Sequence, residues 1–408
     1  MAEGVAAGDI AAMEVDTARM VEGTGAVNPD AAGGPPAGVA ATNPLEAERA
    51  LTAQTFLQEL CSGLNRDHGP NLSVEEVTQL ARTHLAPDAV THVDGLLESV
   101  APVTGPEGFM EFIQLERAAY RTMSLDTLLL AISPDADCAF ALSMFKMKNV
   151  GPWHGKEPTH RMSEGVRIDE LRFSVDGKIV EAWCNRQMFE EERELMLREP
   201  ERHHPAVFDP SLLVPVPVAG EGEAGLTSPQ QLMRVAEIWA EAWNMAADAG
   251  PPDPDALEAL AEPNLHMMDA LGLTGDDGQS HPFTAIHSLD DAKRVLTAMS
   301  QRYDVDEVVQ SMAAKPGFNA VFVHWRAKLT PRPDAAAAAG GAADVAGPAA
   351  GPFMAEATDL LLFNPTTGKL RAVLQFRRPL GSDRRWVLQS SSGEGKAVPM
   401  APEQVMVA

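Results

Sequence analysis

Cysteine is scarce in this chain, with three in 408 residues: Cys61, Cys138 and Cys184, far apart and without C-x-x-C spacing. That excludes a disulfide framework and a zinc ribbon, and the thiols read as reduced and packed. Positive charge is also in short supply, 32 Lys and Arg against 58 Asp and Glu, for a net charge of −26. Nucleic acid and anionic membranes both need a positive footprint, so neither is an expected partner. No apolar run approaches the roughly 20 residues that span a bilayer. The acidic stretch holding Glu3, Asp9, Glu14, Asp16 and Glu22 lacks a basic leader and an apolar signal core, so the expected location is cytoplasmic. H-E-x-x-H, G-x-S-x-G and phosphate-loop signatures are missing too. His203-His204 has no acidic or cysteine partner at metal spacing, and no metal or cofactor is expected.

What is present divides the chain. Residues 1–43 are rich in Ala, Gly and acidic groups with almost no bulky apolar periodicity, which predicts a disordered tail. From 44 to 200 the pattern predicts three helices, at Leu45–Leu64, Ser73 to before Pro87 and Pro106–Tyr120, around a short strand at 88–94. A mostly antiparallel sheet follows, with strands at 123–132, 138–148 and 162–183, then a polar helix at 187–198. The 201–227 stretch, with Pro205, Pro210, Pro215 and Pro217, reads as a semi-extended linker. Residues 228–390 repeat the order: Ser228 as cap, an apolar stripe through Trp239 and Trp243, then strands and helices to Phe376. A tail at 391–408 ends the chain.

One strand pattern occurs twice. Period-two geometry puts Asp169, Leu171 and Phe173 on one face, with Ile168, Glu170 and Arg172 on the other. Asp176-Gly177 supplies the hairpin turn that follows. Asp359, Leu361 and Phe363 repeat the arrangement. Pro134 to Pro316 spans 182 positions and Asp169 to Asp359 spans 190; the surplus of 8 falls in the Ala/Gly/Pro stretch 331–352. Tandem duplication with one low-complexity insertion accounts for it. A carboxylate on a core-facing position is costly unless it is hydrogen-bonded or lines a wet cavity, so each Asp is either a structural lock or a general base. His324, on the face opposite Val323 and Trp325, is expected to point outward.

Three segments carry a resemblance: His84-Leu85-Ala86-Pro87-Asp88-Ala89-Val90-Thr91-His92, Gly105-Pro106-Glu107-Gly108-Phe109-Met110-Glu111-Phe112, and Gly165 to Trp183 with its LRF and DGKIVEAW elements. With them, residues 47–190 resemble the SnoaL-like polyketide cyclases of the nuclear transport factor two-like superfamily, and the internal repeat brings in the second half as a divergent copy. The resemblance implies an α+β fold of two tandem cones, each a curved antiparallel sheet wrapped over about three helices with a cavity. It implies cofactor-free proton transfer on a small apolar carbonyl-bearing molecule, as in a cyclase or isomerase, with Asp169 as acid or base. His92, His154 and His160 are the candidate histidines. Asn149 stands where relatives often carry a histidine, so the activity does not follow automatically. Trp153, as a lid aromatic, with Leu171, Phe173, Trp183 and Asp359, are candidate ligand contacts. The rival expectation is a non-enzymatic interaction module, in which the two sheets pair as an intramolecular pseudo-dimer; whether the tandem also forms a homodimer stays open.

Overall fold

The computed structural model describes residues 43–61, 71–93, 102–153, 155–196, 208–216, 228–244, 254–269, 286–332 and 352–377. All of the two expected tails except Asn43, together with His154 and nearly all of the 331–352 insertion, lie outside the described residues.

Local chemistry sets the helix boundaries. Asn43 caps α1 (Pro44–Thr55), and Pro44 takes the first turn, where its missing N–H costs nothing. A π-helical turn at Phe56–Leu60 continues it and buries Phe56, Leu57 and Leu60. α2 (Val74–His84) starts in a Ser73–Glu76 capping box. α3 (Gly105–Ala119) opens on Gly105 at φ +72°, where a Cβ would lie 2.7 Å from the Pro87 carbonyl oxygen.

The first sheet holds β1 (Leu85–Val93), β2 (Val103–Thr104), β3 (Tyr120–Ile132), β4 (Cys138–Asn149), β5 (Met162–Phe173) and β6 (Ile179–Arg186), in the order β2-β1-β6-β5-β4-β3. Only β1 and β6 run parallel. After it comes α4 (Glu190–Met196). The second half supplies α5 (Pro229–Trp243), α6 (Ala256–Leu260), β7 (Ala261–Asp269), α7 (Leu289–Arg302), β8 (Tyr303–Ala314), β9 (Ala320–Pro331), β10 (Phe353–Phe363) and β11 (Leu370–Arg377). Their order, β7-β11-β10-β9-β8, is that of the first sheet without β2, and β7 and β11 again run parallel. The fold is α+β with two sheets, as the sequence pattern predicts.

Strand alternation divides most of the described apolar residues among three cores, beside a smaller cluster at Tyr120, Phe145 and Phe189. Leu171 and Phe173 join Phe56, Leu60, Val77 and Phe109 under the helices of the first half. Val323, Leu361 and Phe363 join Leu232, Trp239, Leu257 and Leu296 in the second. The opposite faces of the two sheets meet in the third core, which holds Phe140, Leu142 and Ile168 with Phe322, Leu360 and Leu374. Phe140 and Phe322 stack there, centroids 5.4 Å apart at 7°. Phe208, in the stretch expected to be a semi-extended linker, is buried in the same core. The described part of that stretch is therefore a packed strap. Val214 and Val216 hydrogen-bond the turn at 317–319, and Asn319 donates to the Leu212 carbonyl.

Candidate functional site

On the helix-facing side of the second sheet, alternation aligns Val305 and Glu307 of β8, Val323, Trp325 and Ala327 of β9, Asp359 and Leu361 of β10, and Gln375 of β11. From the helices, Trp239 and Trp243 of α5 are four residues apart and so share one helix face, with centroids 5.7 Å apart. Together these residues enclose a cavity of about 700 Å³, its mouth included. The walls are mostly apolar with few polar groups, as those of small-molecule sites generally are.

The polar groups converge. Trp325 Nε1 donates to Asp359 Oδ2 at 2.9 Å. Gln375 lies directly across the ladder from Asp359. Glu307 is half-buried and lines the same cavity. Burial among apolar walls, and then the charge of Asp359, push Glu307 up to about 8. At neutral pH Glu307 is therefore held largely protonated beside the Asp359 carboxyl, as a general acid needs to be.

The first half is arranged differently. Asp169 is buried, and both its oxygens accept from Arg167, Nε to Oδ2 at 2.7 Å and Nη2 to Oδ1. Arg167 extends into the corresponding space beside Cys61, Arg117 and Cys184, leaving about 410 Å³. Burial first, with smaller electrostatic contributions, pushes the Cys61 thiol up to about 11, which makes it a packed and unreactive group. Two residues before Asp359, where β5 would have its arginine, β10 carries Ala357. The missing side chain leaves the second cavity open.

The other candidate residues scatter. Leu171 and Phe173 are core, with Arg49 lying over the Phe173 ring. His92 accepts or donates to Glu181 at 2.7 Å and stacks on Trp183 at 4.7 Å. Trp183 in turn meets His324 edge-on, so both residues belong to the inter-sheet side and not to a cavity. Trp153 packs against Tyr120 and Phe189, and His160 is exposed at φ +59°. His154 lies outside the described residues. Of the expected ligand contacts, Asp359 alone lines the larger cavity.

His324 corrects an expectation. It does lie opposite Val323 and Trp325, but it is 1% exposed, because the first sheet covers that face. Its Nδ1 is 2.7 Å from Glu170 and its Nε2 3.3 Å from Glu356. Ser311 donates to Glu170 at 2.7 Å. Glu307, Trp325 and Gln375 went unrecognised as site residues in the sequence. Strand parity held the signal: Glu307 shares the face of buried Val305, and Gln375 that of buried Val373.

No protein-family model matches the chain, and no curated protein does. Solved structures are similar to about a third of it. One, described as a SnoaL-like polyketide cyclase from Jannaschia sp. CCS1, is 15% identical over 36% of this chain and 91% of its own, with a TM-score of 0.30. IdmH of Streptomyces antibioticus, described as a polyketide cyclase, is 19% identical over 34% and 91%, with a TM-score of 0.27. An LEH-like epoxide hydrolase of M. tuberculosis is 10% identical over 35% and 80%, with a TM-score of 0.25.

Proposed function

We propose that the chain binds a small, largely apolar, carbonyl-bearing molecule in the cavity of its second half and moves a proton on it without a cofactor. The observation that carries this reading is the presence of Glu307 and Asp359 together in an apolar cavity, with the Trp325 N–H holding one Asp359 oxygen. Asp359 takes a proton from the carbon next to the carbonyl. The electron pair of that C–H bond shifts toward the carbonyl oxygen, and Glu307 passes its own proton to that oxygen, giving an enol. Protonated Asp359 then returns a proton to carbon while the enol O–H gives its own back to Glu307, which restores the carbonyl and both side chains; return to the same carbon is exchange, and return to a different carbon of an extended enol is an isomerisation. Of the two repeated aspartates, Asp359 replaces Asp169 in this role because Arg167 occupies both oxygens of Asp169.

The test is proton exchange at carbon. Benzylacetone incubated with the full chain in D2O loses its α-proton NMR signal faster than in buffer, and Asp359→Asn slows this by about 100-fold or more, the usual scale for a lost general base. Because Glu307 must be protonated to act as the acid, the wild-type rate falls as pH rises through about 8. Exchange at the wild-type rate in both Asp359→Asn and Glu307→Gln overturns the reading.

A second reading is favoured by the inter-sheet core. Phe140 and Phe322 are 182 positions apart, the offset of the repeat, and they meet ring to ring as equivalent residues do across a two-fold axis. In that reading the halves are a pseudo-dimer within one chain, 44–200 paired with 228–390, and the protein serves as an interaction module. A single-chain mass in native mass spectrometry, with no ketone bound, favours it.

A further inference from the structure

Gln375 is 4% exposed, and its amide oxygen is enclosed with no hydrogen-bond partner among the described residues. Buried polar groups are nearly always paired, and one left unpaired costs stability. This one lies on the wall of the cavity. Its counterpart in the first half, the residue across the ladder from Asp169, is Cys184, so the amide belongs to the open cavity and not to the strand pattern.

The sheet order fixes the rest. Gln375 is on β11, Asp359 on β10, Trp325 on β9 and Glu307 on β8, which are neighbours in that sequence across the sheet. Asp359 therefore stands between the amide and the acid. A molecule whose carbonyl meets Glu307, with its acidic carbon over Asp359, directs its far side at Gln375. An enclosed amide oxygen accepts and does not donate, so the matching group on that side carries an O–H or N–H.

We propose that Gln375 is the specificity-determining residue of the cavity, selecting a ketone that bears a hydroxyl group on the far side of its acidic carbon. This rests on the reading of the cavity given above. The hydroxyl donates to the amide oxygen and so supplies the partner that this atom lacks. A ketone without the hydroxyl enters the same cavity but leaves the amide unpaired.

The experiment compares benzylacetone with its β-hydroxy derivative, titrated against the full chain and read by the fluorescence of the cavity tryptophans. The hydroxyketone binds the wild type about tenfold more tightly, the scale of one added hydrogen bond to a buried partner. Gln375→Leu removes that preference, so that the two ketones bind it equally, and does not lower the melting temperature of the free protein; Gln375→Met repeats the measurement in a second background. Equal binding of the two ketones by the wild type overturns the inference, as does a preference that survives Gln375→Leu. The cavity reading then stands or falls separately on the exchange of benzylacetone protons in D2O. If neither ketone binds the wild type, both readings fail.

Discussion

Whether a core-facing aspartate becomes a lock or a reactive group is decided here by its neighbour two positions earlier. Asp169 follows Arg167 on the same face of β5 and is tied to it, whereas Asp359 follows Ala357 and accepts from the Trp325 N–H. Removing one partner of a buried ion pair strands the other charge. Asp169→Asn is therefore expected to destabilise the protein by about 3–5 kcal/mol in urea unfolding, while Arg167→Met combined with Asp169→Leu recovers most of the loss. The sequence made both aspartates legible, since parity against Leu171, Phe173, Leu361 and Phe363 is a local property. It placed the acid or base at Asp169 and gave Asp359 only as a ligand contact, because which neighbouring side chains fill each space is not written in the strand pattern. Arg167 shares the face of Asp169 by the same parity, but parity does not reveal that the guanidinium folds back onto the carboxylate. Glu307 and Gln375 went unread for a related reason: each is one polar residue in an apolar strand, and only the sheet brings them beside Asp359.

Elements whose boundaries are set by adjacent residues came through from sequence to structure with small shifts. The Ser73–Glu76 box, the Ser228 cap and the Asp176-Gly177 turn all lie where their chemistry predicts, with Gly177 at φ +88°. Elements that depend on distant surfaces did not. The 201–227 stretch is proline-rich enough to read as a spacer, yet its described part is fastened by Asn319, which is 1% exposed. The Asn319 side chain accepts from Val214 N at 2.8 Å and donates to the carbonyls of Leu212 at 3.2 Å and Phe363 at 2.6 Å. Asn319→Ala leaves those backbone groups without their partner. The expected cost is about 1–3 kcal/mol, read as a lower urea midpoint together with faster hydrogen exchange at the Val214 amide. An unchanged exchange rate would show that the strap is held by Phe208 and the backbone hydrogen bonds to the 317–319 turn, without the Asn319 side chain.

At the scale of the whole molecule, the contact between the sheets carries a buried polar cluster on one side. Burial pulls His324 down, but its hydrogen bonds to Glu170 and Glu356, and then their charges, outweigh this and raise it above 6.5. A histidine raised on folding adds stability that is complete below its unfolded value and is lost as pH rises through its folded value. Thermal stability should thus be greatest at and below about pH 6.5 as far as this group is concerned, and should decline on the alkaline side; His324→Gln flattens that decline in melts across the range. Leu360 stands 190 positions after Glu170, and Leu142 stands 182 before His324; both are apolar members of the same core. A homodimer could not arrange this, because each of its copies must present the same residue to the other. Two surfaces joined in one chain meet at an effective concentration fixed by the connecting strap, independent of dilution. Mutation can then alter one side without altering the other, which leaves one half free to fill its pocket while the other keeps its own open.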